Sequence, residues 1–356
     1  MLVSLCASEL WNRRVTDQPE RKLLPAWWNV APRDLLKIVL ALALIVFVVS
    51  KTNLQNLIVL KDSLSWQWLW ISLMLYSLVT LAKGVQYWAL LGVQVPFRET
   101  LKIVIIQNAM TNFVTNTAGI ASYMTLFKLE QNVKLRRSGL VFILTKAGDL
   151  LAMVFFLALS SLQVWVRIPL LQETAVVLLL AAGAGLLIFW AAVFMRQRFV
   201  IQFRKVLHSL RLDRLGIVQR LIDMLDALAA QEHKTIASAL LRGTVLSFFY
   251  MTLTMAYSYA RFQIFPVPAD LWVILFITSV MQFISIIPIQ IFGGLGVSEL
   301  TLVYLFSLFG VTQVDIPAIV VALRVLFYLF NLAVLAYLPL DALLNKLKYM
   351  ESKSLS

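Results

Sequence analysis

A chain of 356 residues with 61% hydrophobic and only 14% charged residues has too little polar surface for a water-soluble globule, which carries about 45–50% apolar and about 25% charged residues. Its 31 Lys and Arg against 18 Asp and Glu give a formal charge of +13; in a membrane protein such cations have meaning only once sorted by side, and no nucleic-acid partner is expected. The single cysteine, Cys6, excludes an internal disulfide framework.

Residues 1–34 carry Arg13, Arg14, Arg21 and Lys22 after a short apolar start. That order is the reverse of a signal peptide and reads as a retained, basic cytoplasmic tail. Apolar segments follow at Leu35–Ser50, Trp66–Gly92, Gly139–Ser160, Thr174–Met195, Ser238–Ala260 and Pro317–Leu340, each bounded by polar, basic or aromatic residues. They predict six full spans. Two other apolar segments are interrupted: Thr100–Lys128 at Asn116-Thr117-Ala118-Gly119, and Asp270–Gly310 at Pro288 and Gly293-Gly294-Leu295-Gly296. Freed backbone amides are tolerated inside a bilayer only where protein or a wet cavity satisfies them, so both read as broken, re-entrant helical hairpins. The stretch 196–234 sets Phe199, Phe203, Leu207 and Leu210 at helical spacing against basic residues. It reads either as helices lying on an anionic leaflet or as a connecting helical hairpin.

With the tail inside and each hairpin returning to the face it left, about 24 of the 31 cations fall on the cytoplasmic side, and Lys83, Lys146 and Arg324 fall within spans. Both termini, including the tail 346–356, are then cytoplasmic. The order span, span, broken hairpin, span occurs over residues 35–165 and again, in the opposite direction, over 166–345. The expected fold is therefore an all-α polytopic membrane protein with about six full spans and two re-entrant hairpins in an inverted repeat, with sites at the repeat interface.

A charge within a span costs about 2.5–3.5 kcal/mol on insertion scales, which makes each one a functional candidate. Lys146 and Asp149 are spaced i, i+3 and either pair with each other or belong to a site. Arg324 has no acidic partner in its own span, and it and Lys146 occupy equivalent places in the two halves, where both could hold one anionic group. Glu299 follows the glycine run, in position to cap the helix that begins there, to pair with Arg324 or to gate a substrate. Lys83 is expected to snorkel toward the cytoplasm. Asn108, Asn112, Thr115, Asn116 and Thr117 give the first hairpin a polar density suited to lining a cavity. The expected substrate-binding set is Lys146, Arg324, Glu299, Asp149, Asn112, Asn116, Gly119, Gly293, Gly294 and Gly296.

An enzyme is not expected. His208 and His233 are the only histidines and have no Cys or paired carboxylate at metal-ligand spacing. No glycine loop precedes Lys-Ser or Lys-Thr. Neither a metal nor a cofactor is called for.

The run Pro288-Ile289-Gln290-Ile291-Phe292-Gly293-Gly294-Leu295-Gly296-Val297-Ser298-Glu299 resembles the signature of the lysylphosphatidylglycerol synthase transmembrane-domain family, a proline followed by Gly-Gly-Leu-Gly-Val-x-Glu. Arg324 resembles the arginine of that family's last span. Thr145-Lys146-Ala147-Gly148-Asp149 is similar to its Glu-Arg-x-x-Asp stretch, with Lys for Arg and Thr for Glu, and the similarity of layout covers about residues 33–345. The family includes the flippase half of the multiple peptide resistance factor and stand-alone proteins linked to hopanoid handling and to glycosylation on polyprenyl lipids. The resemblance implies translocation of an anionic amphiphilic lipid, such as a phospholipid or polyprenyl phosphate, across a prokaryotic inner membrane, with membrane lipids as partners. At Thr117-Ala118-Gly119-Ile120-Ala121-Ser122 the chain departs from the family's Pro-Gly-x-x-Gly-Glu. A stand-alone member without the soluble aminoacyl-transfer domain is expected. The alternative is a non-transporting membrane anchor or regulator of a lipid-modifying glycosyltransferase; a carrier of a small polar anion is a third reading.

Overall fold

The computed structural model describes residues 63–92, 95–164, scattered positions from 173 to 187, 233–265, 267, 269–286, 296–311 and 316–341. The tail 1–34, the span at Leu35–Ser50, the basic stretch 196–232, the breaks at Pro288, Gly293 and Gly294, and the tail 346–356 lie outside the described residues. Of the span at Thr174–Met195 only scattered positions are described, all of them helical.

Every described element is a helix. They are α1 (Trp66–Leu91), α2 (Phe97–Phe113), α3 (Asn116–Gln131), α4 (Leu135–Val164), α5 (His233–Phe262), α6 (Leu271–Ile286), α7 (Val297–Leu308) and α8 (Ile316–Leu335). Among the described residues, four stretches are long and apolar enough to cross a bilayer, Trp66–Leu91, Arg137–Val164, Ser238–Phe262 and Ile316–Asp341. The chain is a helical, multi-pass membrane protein. Each half has the same order, a long helix, two short ones and another long one.

Contacts along α1 and α5 give their relative direction. The Ser65 amide donates to the Ile264 carbonyl at 2.9 Å, the Tyr76 and Tyr257 rings are 5.3 Å apart, and the Gln86 amide donates to the Ser247 hydroxyl at 2.5 Å. As residue numbers rise along α1 they fall along α5, so these corresponding helices of the two halves are antiparallel. Helix α4 is also antiparallel to α1, because Arg137 donates to the Leu91 carbonyl at 2.6 Å while Asp149 meets Lys83. Gly148 lets α4 approach α5 closely: a Cβ there would lie 2.5 Å from the Ser247 hydroxyl and 3.2 Å from the Gly243 carbonyl.

The short helices enter from opposite ends. At the Leu91 end, Arg98 and Lys102 of α2 both bind Asp341 beyond α8, and Val95, Phe127 and Val133 share one apolar cluster with Leu91. Both α2 and α3 therefore have their outer termini at that end. Along α8, α2 reaches only as far as Tyr328, whose ring stacks on Phe113 at 5.5 Å. Tyr328 is twelve residues, about 18 Å of helix, from Ile316. At the Ser65 end, Phe306 of α7 lies 5.2 Å from Phe262, Phe276 of α6 lies 6.0 Å from Phe309, and a larger cluster gathers Ile264, Phe265, Val311 and Ile316.

Exchanging the halves largely preserves the packing. Helix α4 packs on α6 as α8 packs on α2, α1 on α2 as α5 on α6, α3 on α4 as α7 on α8, and α4 on α5 as α8 on α1; α1 additionally packs on α4.

The break in the first hairpin is not where the glycine predicts it. Helix α2 ends at Phe113, and Thr115 caps α3 by accepting the Ala118 amide at 3.0 Å. Gly119 is inside continuous helix. Its missing side chain serves close packing instead: a Cβ would fall 1.9 Å from the Thr111 hydroxyl and 3.0 Å from the Gln107 carbonyl oxygen. Gly296 does break the chain, with φ 86° and ψ −55° directly before α7, a backbone conformation suited to glycine.

Candidate functional site

Among the described residues, two polar centres of the bundle are each built on a largely buried ion pair. The first joins α1, α4 and α5. The Lys83 ammonium contacts the Asp149 carboxylate at 2.5 Å and donates to the Gln86 side-chain carbonyl at 2.9 Å, and it lies 4.3 Å from the Tyr250 ring centroid. The other Asp149 oxygen accepts from the Gln86 amide at 3.1 Å and from the Ser247 hydroxyl at 3.1 Å. An ion pair away from water holds only when its remaining lone pairs and protons find partners, and here they do. Two expectations are corrected. Lys83 is buried and does not snorkel, because a carboxylate on the adjacent helix holds it; and Asp149 forms its ion pair with Lys83, not with Lys146, which is exposed with its ammonium 5.7 Å from the Phe142 ring.

The second centre lies where the hairpins approach one another. Glu299, three residues into α7, accepts the Gly296 amide on one oxygen at 2.5 Å and faces the Arg324 guanidinium with the other at 3.2 Å. It thus caps the helix and pairs with Arg324 at once. A carboxylate there also meets the positive end of the α7 dipole. The Arg324 guanidinium lies 5.0 Å from the Tyr328 ring and 5.4 Å from that of Phe327. Since Tyr328 stacks on Phe113, the tip of the first hairpin rests one ring away from the arginine. Asn116 donates across to the Ser285 carbonyl at the end of α6, at 3.4 Å.

Asn331 ties these parts together. Its side-chain oxygen accepts from the Tyr76 hydroxyl at 2.7 Å and from Asn112 at 2.6 Å, and its amide donates to the Phe327 carbonyl at 2.8 Å. It links α1, α2 and α8 from a buried position.

A family model described as Lysylphosphatidylglycerol synthase TM region matches residues 35–334. The chain belongs to this family. In this member of a lipid-handling membrane family, Glu299 and Arg324 form one pair, and Asn112 and Asn116 of the first hairpin make hydrogen bonds to α8 and α6. Lys146 stands apart from that pair as an exposed side chain on α4. No curated protein and no solved structure matches the chain.

Sequence reasoning missed Gln86, Ser247, Tyr76, Tyr328 and Asn331. Three of them carried a signal. Tyr328 and Asn331 follow Arg324 at i+4 and i+7, one face of an otherwise apolar helix, and Gln86 follows Lys83 at i+3. Tyr76 and Ser247 have no such mark, being amphipathic or small residues of a kind common in spans.

Proposed function

We propose that this protein translocates an anionic amphiphilic lipid across the prokaryotic inner membrane, binding its phosphate at Arg324 between two re-entrant hairpins. The observation that carries this reading is a largely buried guanidinium at the point where hairpins from opposite ends of the bundle approach each other. Interrupted helices meeting between inverted repeats are where alternating-access carriers bind substrate. Antiparallel α1 and α5, and packing that survives exchange of the halves, support an inverted repeat. Parallel α4 and α5 support a further span between them, the role given above to Thr174–Met195. Asn112 bonds Asn331 on the helix that carries the arginine, Asn116 reaches the end of α6, Gly296 supplies backbone freedom next to Glu299, and exposed Lys146 offers a charge to a headgroup arriving from the side. Acyl or prenyl tails stay in the bilayer, and both termini are cytoplasmic.

Proteoliposomes carrying a fluorescent phosphatidylglycerol test the proposal by accessibility of the label to a membrane-impermeant quencher. Wild type is expected to equilibrate the probe between leaflets, and Arg324→Gln to slow this by about tenfold or more. Equal rates for wild type, Arg324→Gln and protein-free vesicles would reject it.

A further inference from the structure

The Arg324–Glu299 pair poses a charge problem for any anion that binds there. As folded, the guanidinium and the carboxylate sum to zero, and both are largely buried, with 14% and 6% of their side chains exposed. A phosphate taking hold of Arg324 brings a further negative charge into a site with little water to screen it. Among the described residues of α6, α7 and α8 no other side chain compensates it; the next cation, Arg261 of α5, meets the Tyr257 hydroxyl nearer the Ser65 end. From α8, Glu299 is faced by Arg324 and by the aromatic Tyr328; α6, which also packs on α7, carries no ionisable side chain between Leu271 and Ile286; and Tyr304, the other ionisable residue of α7, is exposed.

Glu299 is nevertheless well arranged to give up the arginine. Its two oxygens have separate duties: one accepts the Gly296 amide and the other faces Arg324. Loss of Arg324 therefore leaves the helix cap intact and frees a single oxygen, and a protonated carboxyl can still accept the amide on its carbonyl oxygen. Arg324 is held in place independently by the Tyr328 and Phe327 faces, so its plane stays presented when its counter-ion leaves.

We propose that a phosphate monoanion displaces Glu299 from Arg324 and that the released carboxylate oxygen takes up a proton from water, so that anion and proton enter the site together and the buried charge stays at zero. Glu299 is in effect a resident substitute for the substrate's phosphate. This rests on Arg324 being the headgroup site and adds its coupling: each lipid phosphate is accompanied by a proton.

The test uses the purified full-length protein in detergent, with dihexanoyl phosphatidylglycerol as probe and inorganic phosphate in parallel. Calorimetric titration in two buffers of unlike ionisation enthalpy counts protons exchanged on binding. Wild type is expected to bind the lipid probe with uptake of a proton and at lower concentration than free phosphate. Glu299→Gln, already neutral, should bind it about tenfold more tightly with no proton uptake. The double variant Glu299→Gln/Arg324→Gln, which leaves no orphaned charge, should bind neither probe. Binding by wild type without proton exchange overturns the coupling, as does proton uptake persisting in Glu299→Gln or unchanged affinity in that variant. Tighter binding of free phosphate than of the lipid probe overturns the assignment to a headgroup. If the double variant binds the lipid as wild type does, Arg324 is not the site and the proposed function fails with it.

Discussion

The two buried ion pairs have similar exposure and opposite surroundings. Asp149 is shared among Lys83, Gln86 and Ser247 on two other helices, so both of its oxygens are engaged by side chains of neighbouring helices. Glu299 divides its oxygens between one backbone amide and one guanidinium, beside a glycine and at the approach of two helix ends. The difference teaches that burial alone does not say whether a charge in a membrane helix is structural or functional. The number of partners that must be broken to reach it does. By that measure the Lys83–Asp149 cluster, which Ser247 of α5 ties to the second half, is a joint between halves and Arg324–Glu299 a replaceable contact.

The comparison breaks most visibly if the joint is attacked from one side. Lys83→Ala or Asp149→Ala strands the partner charge and should cost about 3–5 kcal/mol, seen as loss of folded protein in size-exclusion profiles after heating. Replacing both by apolar residues of similar volume should restore most of the stability. If the single variants melt like wild type, the joint is not one.

A second probe concerns close packing inside the first hairpin. Gly119→Ala drives a methyl group onto the Thr111 hydroxyl and should cost about 1–3 kcal/mol, and pairing it with Thr111→Ala should recover part of the loss in thermal unfolding. Asn331→Ala leaves the Tyr76 hydroxyl and Asn112 amide without their acceptor, a loss of about 1–3 kcal/mol. The loss is read as a lower midpoint in the same thermal unfolding measurement. The smallest effect is expected at the Leu91 end. Arg98→Gln should leave the melting temperature unchanged, since Lys102 still holds Asp341 at 2.8 Å and the arginine is partly exposed; a clear drop would make that cluster a third essential centre.

Much of this was legible in the chain. Unbroken apolar length and its basic borders located α1, α4, α5 and α8, because a span must satisfy its own backbone and the bilayer sets its length. Glu299 was legible as a cap and as a partner for Arg324, since a carboxylate three residues past a helix-starting glycine suits both. What the sequence could not show is which helices touch. For Lys146, three residues from Asp149, the spacing leaves two roles open, a pair with that carboxylate or part of a site, whereas Lys83, 66 positions away, is the partner that packing brings to it. Gly119 misled for a related reason: a glycine that breaks a helix and one that lets a neighbouring helix come close are the same letter.

Antiparallel α1 and α5, with α4 against α6 and α8 against α2, have a consequence for the proposed transport cycle. If the protein alternates access as proposed, giving each half the present backbone of the other yields trial coordinates for a reverse-facing state. The pairs whose spacing changes most between the two arrangements are then the places to attach spectroscopic labels, and they can be chosen before the second conformation has been seen.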